Sequence, residues 1–205
     1  MIGKSVYTKK TFTSTGVDPQ TGIYTFKDLN NDDYISSTDD TEFTKQVSQT
    51  FFGGINNSIA FKGVQLDFLF QFVKQTGYNY ISYYSNPGGA SNQPSLVASR
   101  WQKPGDTSTI QQASLFGPGT MAYFDYMFSD RAISDASFVR LKNVSLSYAL
   151  PVKWMKINFM QDCRIYANAQ NLFTITNYLG MDPENQNVNY LPPLRMFSFG
   201  INVTL

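Results

Sequence analysis

From Gln65 to Lys74 the chain reads QLDFLFQFVK, with Leu66, Phe68, Phe70 and Phe72 alternating against Gln65, Asp67 and Gln71. A period of two predicts a β-strand with one apolar and one polar face. The final segment repeats the pattern: Phe197, Phe199, Ile201, Val203 and Leu205 oppose Ser198, Gly200, Asn202 and Thr204. A third run sets Val144, Leu146, Tyr148 and Leu150 against Asn143, Ser145, Ser147 and Ala149. Val139 and Leu141 precede it in the opposite phase, which predicts a β-bulge near Asn143. Further strands are predicted over Ile55 to Phe61 and Cys163 to Phe173.

Connection lengths add sidedness. Lys62, Gly63 and Val64 join two predicted strands, and Leu150-Pro151 opens another moderate turn, whereas Gln75 to Asp135 and Thr174 to Leu194 are long. Long connections fall on one side and shorter ones on the other, the asymmetry of outer-membrane barrels with short periplasmic turns and long outer loops. The polar faces fit either a wet lumen or bulk water, because half-buried strands of a soluble β-sandwich alternate in the same way. Long strands, consecutive outward Phe residues and aromatics near strand ends favour the barrel. Those aromatics are Tyr78, Tyr80, Tyr83 and Tyr84 on the long-loop side, with Tyr148 and Trp154 on the short-turn side.

Composition sharpens this picture. The 205 residues include 17 Phe and 13 Tyr, so 16% are aromatic against 15% charged. No run approaches the roughly 18 apolar residues of a membrane-spanning helix, so strands are left to carry any membrane role. Sixteen basic and 15 acidic residues nearly cancel, which argues against nucleic-acid binding. The single cysteine, Cys163, has no internal disulfide partner, and without histidine there is no zinc or haem site to build around it. No catalytic constellation is present. The first ten residues, MIGKSVYTKK, lack the apolar stretch of about 7–15 residues in a secretory signal. A protein bound for the outer membrane needs that signal, so the chain is expected to be a fragment whose front carried it.

Several segments resemble the SusC/RagA group of TonB-linked outer-membrane proteins. They are GVDPQTGIYTFKDLNNDDYI (Gly16 to Ile35), FFGGINNSIAFKGVQLDFLFQF (Phe51 to Phe72), RWQKPGD (Arg100 to Asp106), SFVRLKNVSLSYALP (Ser137 to Pro151) and RIYANAQNLFTITNYLGMDPE (Arg164 to Glu184). All five occur in the family's order. The resemblance implies an all-β fold, an antiparallel transmembrane β-barrel segment made of about the last six strands of a barrel of about 22. Residues 1–205 would then be a partial C-terminal barrel without the plug domain or the earlier strands. It also implies an outer-membrane importer of oligosaccharides or peptides, not an enzyme and inactive as an isolated piece. Its partners would be outer-membrane lipid, a SusD-like surface lipoprotein, the TonB system through the missing N-terminal part, and the barrel-assembly machinery. The other functional class is a soluble all-β carbohydrate-binding module.

Three sets of site residues follow. Asp28, Asn30, Asp32, the Tyr34 carbonyl, Ser36 and Asp39 stand at EF-hand spacing, and such hard oxygen ligands suit Ca2+. Asp33 takes the place of the sharp-turn glycine there, and Asp39 that of the chelating Glu. Trp101 with Tyr78, Tyr80, Tyr83 and Tyr84 offers rings for stacking on sugar. Ser198, Gly200, Val203 and Leu205 resemble the terminal signal read by the barrel-assembly machinery, with Leu205 where an aromatic is usual. Arg140 and Lys142 alternate with apolar residues and are expected to face the lumen and pair there.

Overall fold

The computed structural model describes residues 3–151 and 161–205; Trp154 lies outside the described residues. The strands are β1 (Thr8–Phe12), β2 (Ser14–Val17), β3 (Tyr24–Phe26), β4 (Thr41–Gln46), β5 (Gln49–Phe61) and β6 (Val64–Tyr78). After the helix α1 (Pro118–Met127) come β7 (Ile133–Asp135), β8 (Phe138–Ala149), β9 (Asp162–Thr176) and β10 (Met196–Thr204). The chain divides into two compact units.

One unit is a single antiparallel sheet in the order β10-β9-β8-β6-β5. Its strands run from 9 to 15 residues. The 15 residues of β6 extend about 50 Å, and at a tilt near 45° they rise about 35 Å, beyond a hydrocarbon core of about 30 Å. Between β5 and β6 the chain turns on Lys62 and Gly63 alone, with φ of 47° and 83°. Positive φ at both central residues matches the right-handed twist of the flanking strands and favours glycine at the second. The bulge predicted near Asn143 is present. Leu69 pairs with Asn143 and Phe70 with Leu141, so Lys142 is the residue left over. On the other side Asn143 pairs with Gln170 and Leu141 with Phe173, and Asn171 absorbs the mismatch at φ 51°. The extra residue brings Val139 and Leu141 onto the face shared by Val144 and Leu146.

The second unit gathers residues 1–48, 76–136 and 178–189 around a small core of its own. Antiparallel pairs β1–β4 and β2–β3 frame it, and β7 pairs with the end of β6. Phe12, Tyr24, Ile81, Trp101, Ile110, Tyr123 and Ile133 are buried there. The α1 helix has Gly117 before it and Pro118 in its first turn, where a missing N–H costs nothing. The long connection from Gln75 to Asp135 is therefore a packed element and not an open loop. Asn79, fully buried, pins it by donating to the carbonyl of Arg131 and accepting the N–H of Ile81.

Candidate functional site

Directly paired residues of an antiparallel sheet share a face, so the registers sort every side chain of the sheet. One face carries rows such as Ile59–Leu66–Leu146–Ala167–Phe199 and Ile55–Phe70–Leu141–Phe173. Phe70 meets Phe68 and Phe173 with ring centroids 5.7 and 6.2 Å apart. The opposite face carries the row Ser58–Asp67–Ser145–Asn168–Ser198, beside Asn143 with Gln170 and Ser147 with Tyr166. Among the described residues the apolar rows hold exposed side chains: Phe61 is 68% exposed, Ile175 65% and Phe199 77%. Exposing such a stripe to water makes a large adhesive patch, so this face is built for an apolar surrounding. The rings do not meet in the middle of a sandwich.

On the polar face Arg140 is buried. Its Nε donates to the Thr174 hydroxyl at 2.8 Å, and its guanidinium lies 5.2 Å from the Phe138 ring centroid. Its neighbours therefore occupy this cation. Lys142 sits in the bulge. In the terminal strand Ser198 pairs with Asn168 and Val203 with Cys163, and Gly200 stands opposite Tyr166. A Cβ on Gly200 would collide with the Tyr166 ring, so glycine there leaves room for an aromatic on the neighbouring strand. Leu205 is exposed beyond the end of β10.

The other unit holds the remaining sequence candidates. Asp28 accepts the N–H groups of Asn31 and Asp33 at 2.7 and 2.9 Å, Asn30 accepts from Asp32, and Asp32 accepts from Tyr34. Asp33 takes the left-handed conformation, φ 61°, that its place in the turn requires. Asp39 accepts from the Ser36 hydroxyl, and its own N–H donates back to that oxygen. Asp40, one residue on, closes the loop: fully buried, it accepts the N–H groups of Leu29 and Ser36, each at 2.8 Å. Those donors hold its carboxyl below the ordinary 3.8. EF-hand spacing passes over Asp40. Among the described residues no three acidic, His or Cys side chains converge as a metal site.

Trp101 is only 7% exposed. Its indole N–H donates to the Pro19 carbonyl at 3.1 Å, the same oxygen that accepts the Gly105 N–H at 2.8 Å. Its ring lies so close to Gly22 that no Cβ fits between them. The segments GVDPQTG and RWQKPGD thus form one structure, and Trp101 belongs to its core, with no open ring face for a sugar. Tyr78, Tyr80, Tyr83 and Tyr84 are half-buried. Tyr83 donates to the Gln186 carbonyl, Tyr80 lies 6.3 Å from Tyr84, and the Tyr78 carbonyl accepts from the Tyr178 hydroxyl. Burial pushes Tyr178 up to about 12.

Known proteins resemble this chain along nearly all of it. "TonB-dependent receptor P3" of Formosa agariphila is 27% identical over 203 residues, covering 91% of this chain and 19% of its own length. "TonB-dependent receptor SusC" of Bacteroides thetaiotaomicron is 26% identical, covering 88% and 17%. This chain is a homologue of the TonB-dependent receptors. The fold agrees. The structure of the RagAB peptide importer in the "open-open" state matches with a TM-score of 0.75 and 24% identity, over 96% of this chain and 22% of that one. The "closed-closed" state matches at 0.73 and 25%. No family model matches. The chain spans about a fifth of the length of these TonB-dependent receptors. None of its described helices is long and apolar enough to cross a membrane; crossing by strands is the β-barrel alternative.

Proposed function

We propose that this chain is a stretch of wall from a TonB-dependent nutrient importer of the outer membrane, residues 1–205 forming a C-terminal part of its barrel. The reading is supported above all by one sheet whose apolar rows are exposed across five strands while the reverse face is polar. Lipid covers the first face and the wet lumen meets the second. The long connections then lie outside the cell and the Lys62–Gly63 turn in the periplasm. Ser198, Gly200, Val203 and Leu205 are read by the assembly machinery, the cargo is an oligosaccharide or peptide, and a SusD-like lipoprotein shares its capture. The RagAB structures, by name a peptide importer, favour a cargo of that kind. TonB engages the importer through a segment outside these 205 residues. The chain performs no chemistry of its own.

Cell fractionation tests this. The chain is expected in the outer-membrane fraction, released only by detergent, and the 205 residues alone are expected to support no TonB-driven uptake. A monomer stable without detergent would overturn the reading.

A further inference from the structure

The apolar face of the sheet is not flat. An open trough of about 650 Å³ is lined by Val64, Leu146, Tyr148, Ile165, Ala167, Phe199 and neighbouring residues. Its floor is low because β9 presents Ala167 where the flanking strands present Leu146 and Phe199 in the same row. From Ile165 to Ala167 the floor runs about 7 Å along the strand. At the turn end the trough meets the row Phe61–Val64–Tyr148–Ile165–Ile201. There the Lys62 ammonium stands 5.2 Å from the Phe61 ring centroid, on the apolar side of the rim. The acidic residues of the neighbouring strands, Asp67 and Asp162, fall on the opposite face by register.

We propose that this trough is a binding site for one anionic phospholipid of the periplasmic leaflet, an acyl chain lying on Ala167 and the phosphate held at the rim by Lys62. The site rests on the membrane reading above and goes beyond it. A smooth apolar wall solvates lipid indifferently, whereas a groove with a cation at its mouth selects a chain and a charge together. A lysine near the membrane surface attracts anionic lipid, and its stem lies along apolar surface while the head stays at the interface.

The test uses outer membranes from cells producing the chain, loaded with phosphatidylglycerol carrying a diazirine midway along one acyl chain. Photolabelled residues are mapped by mass spectrometry. Labels are expected to concentrate on β9 and the trough walls, at least fivefold over Ile55 and Ile59 on the same face. Filling the floor with Ala167→Leu should abolish that enrichment and leave the labelling of Ile55 and Ile59 unchanged. Lys62→Asn, which suits the positive φ of the turn, should reduce the enrichment for phosphatidylglycerol severalfold but not for a phosphatidylcholine probe. Uniform labelling of the whole face, insensitive to these variants, would overturn the site and leave the membrane reading standing. Crosslinks between two copies through the trough would overturn it in favour of self-association. Labelling absent from the entire face would overturn the membrane reading itself.

Discussion

Two side chains show how residue-level chemistry holds the loop unit together. Trp101 fills the space that Gly22 leaves and bonds to Pro19. Trp101→Ala should therefore destabilise that unit by about 3–5 kcal/mol. Trp101→Phe, keeping a ring over Gly22 and losing the hydrogen bond, should cost about 1 kcal/mol. Limited proteolysis of the loops in detergent-solubilised protein measures both, and equal rates for wild type and Trp101→Ala would refute the packing role. Asp40 makes the loop sensitive to acid. Its folded pKa is depressed by the N–H groups of Leu29 and Ser36, so its contribution is complete above the ordinary value and is lost as pH falls through the lower folded one. Hydrogen-exchange protection factors at Leu29 and Ser36 should drop between pH 5 and pH 2, and Asp40→Asn should show the low protection already at neutral pH.

At the scale of elements, the strands were legible because a sheet with unlike faces writes itself into the sequence with period two. The phase reversal between Leu141 and Val144 even located the bulge. Deleting Lys142 removes the bulge and leaves Val139, Leu141, Val144 and Leu146 in unbroken alternation on one face. Stable membrane assembly should therefore survive the deletion; a deletion variant that fails to assemble would contradict the register. Helix α1 was not legible. It buries Tyr123 on one side while Met121 and Phe124 stay exposed on another, so no polar face marks a period of 3.6. Trp101 misled for a related reason: an indole in a loop has the same composition signal whether it awaits a ligand or completes a core. Its partner Pro19 lies 82 residues away, and no local pattern joins them. The resemblance did flag both segments, GVDPQTG and RWQKPGD, without saying that they meet. Asp40 was passed over because EF-hand spacing directs attention to Asp39.

At the scale of the whole molecule, the medium around the sheet decides what the sheet is for. β5 and β10 end the strand order, and open edges invite pairing with further strands, as a barrel wall requires. The most direct measurement is spin labelling along β10 in lipid vesicles, with Cys163 replaced by Ala and single cysteines placed at positions 197 to 203 in turn. Collision rates with lipid-soluble oxygen should peak at Phe197, Phe199, Ile201 and Val203, and those with a water-soluble nickel chelate at Ser198, Gly200 and Asn202. Nickel access at the odd-numbered positions, or rates without a period of two, would contradict lipid on the apolar face and the importer reading with it.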